Sequence, residues 1–217
     1  MDDRIGRTGK LRVVKEAAER RIEILDVAEE LFVTKGYDKT STNDILARVG
    51  IARGTLYYHF KSKEDILNAM IERINDSLIA RARTIASDPS IPVIDRIVMM
   101  IAGLQVDSDI GHEIIDQVHK PQNALMHQKM LNNLMEGIVP VIVRLVEEGI
   151  RQGIFNLEYP AETVEMLILY SGIVFDNDYD EPGERSDKRI KAFLSNTERL
   201  LGAEEGSVQK AMSKLFT

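Results

Sequence analysis

The sequence predicts an all-α protein, with a small three-helix head joined by a long helix to a larger helical body. Three observations lead there. Apolar residues recur at helical spacing over nearly the whole chain, and no alternating β-branched run lies between hairpin turns. Two serine caps, at Ser41 and Ser62, bracket a pair of short helical segments separated by Gly50. Charge is divided: residues 1–63 carry a net +3 and the remainder a net −10, within a total of −7.

In chain order, Ile24, Leu25, Ala28, Leu31 and Phe32 share one helix face, and Gly36 is placed to stop that helix. Ser41 with Asp44 three residues on is a variant capping box, opening a short helix through Ile45, Leu46 and Val49. Gly50 supplies a tight turn, and Ile51, Leu56 and Phe60 form the inner face of a third helix. Ser62 with Asp65 caps a fourth, long helix reaching about Arg83. The breaker cluster Ser87 to Pro92 follows, then helices over roughly 91–107, 110–119, 121–151, 160–176, 185–202 and 205–216. Pro140 is expected to kink or split the third of these. The domain boundary is expected within the fourth helix, giving domains 1–63 and 64–217.

Composition narrows the function classes. With 44% hydrophobic and 29% charged residues the chain is an ordinary folded protein. No apolar run approaches the roughly 18 residues of a membrane span, and the N-terminus has no apolar signal-peptide region. Cysteine is absent, so disulfides, thiolate metal sites and cysteine nucleophiles are excluded. The expectation is a cytoplasmic protein with no membrane partner. The basic head faces an anion. For the basic run Arg4, Arg7, Lys10, Arg12 and Lys15, two readings stand: a solvated tail or an arm on nucleic acid.

The stretch "GIARGTLYYHFKSKEDIL" carries the most chemistry. Helix, tight turn and a short helix with polar residues outward is the helix-turn-helix pattern. Arg53 can reach a guanine edge bidentately, and Gly54 lets backbone approach closely. Tyr57, Tyr58, His59 and Lys63 can donate to phosphates, and the two capped helix starts suit phosphate as well. The competing reading, an aromatic core patch, fits Leu56 and Phe60 and in part Tyr57.

Residues Ala28 to Leu67, with their "LF…GY…T…I…G…GTLYYHFKSKE" skeleton, closely resemble the head of TetR-family transcriptional regulators. The resemblance implies an all-helical homodimer that binds a palindromic double-stranded DNA operator. It usually represses and is released when a small molecule enters the C-terminal domain; no cofactor or catalytic residue is implied. Thr42, Arg53, Gly54, Thr55, Tyr57, Tyr58, His59 and Lys63 fall where the family contacts DNA. One departure is Ala52, where members often have a capping serine.

In the body, His112, Asp116 and His119 share a helical face, and a metal site or acid–base pair is weighed there against solvated polar residues. The latter is the expectation, with no metal. An interaction module with a vestigial head is the third reading. Met99, Leu104, Met126, Met130, Phe155, Met166 and Tyr170 are candidates to line an apolar effector pocket. For a dimer interface the candidates are Val164, Leu167, Ser171, Gly172 and Phe175 on one helix. Ile190, Phe193, Leu194, Thr197 and Leu201 supply a second.

Overall fold

The computed structural model describes residues 4–103, 109–176 and 184–213, without the side chains of residues 4–15, 109, 173–176 and 184–187. Every regular element among them is helical: α1 (Arg4–Lys35), α2 (Thr42–Val49), α3 (Arg53–His59), α4 (Lys63–Ala86), α5 (Val93–Ala102), α6 (Asp109–Val118), α7 (Ala124–Arg151), α8 (Pro160–Asp176), α9 (Glu184–Leu201) and α10 (Ser207–Ser213). A 3-10 turn at Pro121–Asn123 leads into α7. The chain forms two compact units, residues 1–74 with 106–130, and residues 75–105 with 131–217.

The first unit holds the head. Ile24, Leu25, Ala28 and Phe32 of α1, Ile45 of α2, Leu56 of α3 and Ile66, Leu67, Met70 and Ile71 of α4 form its core. Ile114 and Val118 of α6 complete it. Ile24, Phe32, Ile45 and Leu56 are almost fully buried, and each such side chain contributes about 1.5–3 kcal/mol. Arg73 of α4 bridges Asp26, at 2.6 Å, and Glu29 of α1. Thr40, buried before α2, donates its hydroxyl to the Gly36 carbonyl at 2.8 Å, which closes the α1–α2 connection.

The second unit has a core of Ile79 and Ala82 from α4, Val93 and Met100 from α5, and Ile138, Val141, Ile142, Leu145 and Val146 from α7, with Phe155, Val164 and Leu201. α7 runs unbroken through Pro140, so the expected split does not occur. Proline deletes a single N–H bond, and the buried residues on both sides of it hold the helix together.

Two buried charges in this unit are matched, although Arg96 Nε itself has no hydrogen-bond partner among the described residues. Arg96 donates to the Ala86 carbonyl at 2.9 Å and pairs with Glu148, joining α4, α5 and α7. The Glu198 carboxylate accepts the N–H groups of Gly206, Val208 and Gln209 at 2.9, 2.9 and 3.1 Å. It thereby caps α10 from a helix earlier in the chain.

Gly149 of α7 marks a close approach: a Cβ there would lie 2.2 Å from Phe155 Cδ2. Gly149→Ala should therefore lower unfolding stability by about 1–3 kcal/mol, read by urea titration. Phe155→Leu in the same chain should recover part of the loss; a double variant no better than the sum of the singles would contradict the steric account.

Candidate nucleic-acid interface

α2 begins with a complete capping box. Asp44 N–H donates to Ser41 Oγ at 3.2 Å, and the Asp44 carboxylate accepts the Ser41 N–H at 2.7 Å. Gly50 ends the helix at φ 75°, a left-handed conformation that favours glycine. Its N–H donates to the Leu46 carbonyl at 3.0 Å. Three residues later α3 starts without any side-chain cap, since Ala52 stands at its N-cap. A seven-residue helix lacking a cap is not stable by itself; burial of Leu56 and Phe60 on the head core holds it.

That packing orients the other face outward. Arg53, Gly54, Tyr57 and Tyr58 are exposed, Tyr58 more than Tyr57, while Thr42, Thr55 and His59 are half-buried. Arg53 lies over the Tyr57 ring, 5.7 Å from its centroid, and Tyr58 meets His59 edge to face. Burial, and then the charges of Arg21 and Arg20, push the His59 imidazole below its ordinary pKa. It is therefore a neutral donor around neutral pH rather than a fixed cation. Arg21 sits over the Phe60 ring at 5.0 Å. A Cβ built on Gly54 meets nothing within 4 Å.

Lys63 is engaged within the head. Its Nζ donates to the Tyr37 carbonyl at 2.8 Å and lies 4.1 Å from that ring's centroid. Tyr37 is where several helices meet. Its N–H donates to Glu113 Oε1 of α6 at 2.8 Å, and its ring packs edge-on against Phe32 of α1. Burial, with Glu64 and Asp38 nearby, pushes the phenol pKa far up. Lys120 pairs with Asp38, the next residue, at 2.6 Å. Sequence reasoning assigned no role to Tyr37, Glu113 or Arg21. Tyr37 lay within the recognisable "KGYDKT" stretch, but Glu113 is 76 residues away and carried no local signal.

The remaining candidates are dispersed. Met126 and Met130 pack against the head core. Phe155 is buried in the second unit, Met99 is half-buried on α5, and Met166 and Tyr170 are exposed on α8. Leu104 and the Phe175 side chain lie outside the described residues. On α8 and α9, Val164 and Leu201 belong to the subunit's own core. Leu167, Ser171, Gly172, Phe193, Leu194 and Thr197 are half-buried and Ile190 is exposed. Tyr170 stacks on Phe193 at 5.7 Å. His119 meets the His127 ring edge-on at 4.8 Å. Among the described residues no group of three His, Asp or Glu, His112 and Asp116 included, is placed to hold a metal. Nor is any described helix long and apolar enough to cross a membrane.

A capped short helix, a left-handed glycine turn and a second short helix with an exposed polar face define a helix-turn-helix protein. Known proteins place the chain further. The family model for bacterial regulatory proteins of the tetR family matches residues 24–70. The model for the tetracyclin repressor-like C-terminal domain matches residues 107–193. Between them they span more than half of the chain. Among curated relatives, the fatty acid metabolism regulator protein of Bacillus subtilis (strain 168) is 27% identical over 148 residues, covering 64% of this chain and 73% of that protein. The HTH-type transcriptional repressor KstR2 of Mycobacterium tuberculosis (strain ATCC 25618 / H37Rv) is 35% identical over 82 residues, covering 38% of this chain and 41% of the repressor. The crystal structure of a TetR/AcrR-family transcriptional regulator from Thermobifida fusca YX-ER1 superposes with a TM-score of 0.59 at 29% identity, over 84% of this chain and 97% of that one. The chain belongs to the TetR family of transcriptional regulators, which bind DNA and are not enzymes.

The cap of α2 carries a pH dependence. Hydrogen bonds from Lys35 first, then Ser41, hold the Asp44 carboxyl well below its ordinary value of 3.8. With the folded value below the unfolded one, its stabilisation is fully present above the unfolded pKa and is lost as pH falls through the folded one. Asp44→Asn should remove that part of the acid sensitivity. Thermal melts from about pH 5 downward should show a shallower fall for the variant than for the parent chain.

Proposed function

We propose that this regulator reads a palindromic operator as a homodimer, represses transcription, and is released by a small apolar effector. Residues 1–63 bind DNA, and 64–217 dimerise and bind the effector. The observation that carries the reading is the outward face of α3. Leu56 and Phe60 are spent on the core, yet Arg53, Gly54, Tyr57 and Tyr58 are left exposed together. Glycine inside a helix costs about 1 kcal/mol relative to alanine. None of the described residues needs the space at Gly54, so the missing Cβ serves close approach of an outside surface. Arg53 reads a base edge, while Thr42, Thr55, Tyr57, Tyr58 and neutral His59 donate to phosphates. Lys63 contributes its charge at the start of α4 while holding Tyr37.

The dimer reading rests on α8 and α9. Met166, Leu169, Tyr170, Ile190 and Leu200 leave large apolar area exposed, and Gly172 has open space at its Cβ position. With Leu167, Ser171, Phe193 and Thr197 they make one self-complementary face, on which two copies form a four-helix interface. Two α3 helices would then stand roughly 34–36 Å apart or somewhat more, one turn of DNA. A relative named as a repressor supports repression. The methionine-rich body and a relative named for fatty acid metabolism support an apolar effector. α4 supplies side chains to both cores, so an effector favouring one position of α4 shifts operator affinity. A cytoplasmic location follows from work on the chromosome.

Arg53→Ala should weaken binding to the selected operator by about 1–3 kcal/mol and relax base choice at one position. A titration in which the variant matches the parent on every duplex would refute the placement of α3. Leu169→Asp with Tyr170→Asp should yield monomers in light scattering at micromolar concentration; a dimer mass for that variant would move the interface elsewhere.

A further inference from the structure

We propose that the N-terminal part of α1, Arg4–Lys15, is a second DNA-binding element that lies along the phosphate backbone of the duplex beside the bases read by α3. The inference rests on the reading of α3 as the recognition helix, and deepens it.

α1 begins at Arg4, whereas the match to the family's head begins at residue 24. Among the described side chains of α1 the first buried is Ile24, and none from Glu16 to Glu23 is buried. A helical stretch with no buried side chain, as from Glu16 to Glu23, is marginal in water, so a surface outside the subunit would steady this end of α1. Its charge says which kind. From Arg4 to Lys15 the sequence has Arg4, Arg7, Lys10, Arg12 and Lys15 and no acid. Residues 64–217, at a net −10, would attract such a segment but leave the exposed face of α3 as the other claimant.

Position decides between them. Where the extra turns join the head, Arg21 lies over Phe60 at the end of α3, and both Arg21 and Arg20 act on the pKa of His59. The arm therefore departs from the rim of the α3 face. At about 1.5 Å per residue, the helix from Arg21 back to Arg4 spans about 25 Å, the length of roughly seven base pairs of backbone. A rod of that length and charge, starting beside the groove-reading helix, fits the sugar–phosphate strand flanking the half-site. Contacts of this kind carry no base information and are paid in released counterions.

The test compares the parent chain, a variant with R4Q, R7Q, K10Q, R12Q and K15Q, a chain beginning at Glu16, and Arg53→Ala. Glutamine keeps helix propensity close to that of lysine and arginine. Each is titrated, over a series of salt concentrations, with a random-sequence duplex and with the tightest duplex selected from a randomised pool. Both arm variants should bind the two duplexes more weakly by a common factor, keep the parent's base preference, and lower the slope of log K against log salt by about 2 units or more. An unchanged slope in both arm variants, with the parent still preferring its selected duplex, overturns the arm. A parent with no preferred duplex, or an Arg53→Ala chain indistinguishable from it, sinks the α3 reading instead.

Discussion

Much of the head depends on how one residue, Tyr37, is held. Its N–H is accepted by Glu113 of α6, its carbonyl accepts from Lys63 of α4 and the Thr40 N–H, and its ring rests on Phe32 of α1. These contacts meet in the turn between α1 and α2, so the entry of α2 is set from several helices at once. The ammonium of Lys63 gains twice, from a carbonyl and from the ring face. The phenol, pushed far above its ordinary pKa by burial, stays neutral there.

The outward helix needs that precision because it brings so little stability of its own. α3 is seven residues long, has no side-chain cap, and contains a glycine whose side-chain space is empty. Its orientation is borrowed from Leu56 and Phe60 on the core and from the glycine turn after a well-capped α2. A surface that must present Arg53, Tyr57 and Tyr58 to a partner cannot also bury them. The neighbouring elements carry the energetic load instead, through α1, α4 and α6. Lys120 on Asp38 and Arg73 on Asp26 and Glu29 tighten the same frame, although ion pairs this exposed add little stability.

The second unit solves a different problem. It must enclose a large apolar core with long helices. Arg96 on Glu148 and the Ala86 carbonyl, and Glu198 on three backbone N–H groups, place charges inside only where each is matched. Large apolar side chains are left exposed on α8 and α9, Leu169, Tyr170 and Ile190 among them.

Local chemistry was legible in the sequence. The Ser41–Asp44 cap, the glycine stops at residues 36 and 50, the uncapped start at Ala52 and the burial of Leu56 and Phe60 all involve residues within a few positions of one another. Helical period alone announced the all-α class. Tertiary structure decided what spacing cannot encode. Glu113 reaches Tyr37 across 76 positions, and Lys63, which reads as a free phosphate donor, turns inward because that ring and carbonyl happen to converge on it. A helix apolar nearly all round has no sequence signal for its inner face, so Val164 went to the core while Met166 and Leu169 went outside. Pro140 breaks a helix in isolation, but buried neighbours on both sides carry α7 past it. Each of these outcomes is set by side chains arriving from distant parts of the chain, which is information that local propensity does not contain.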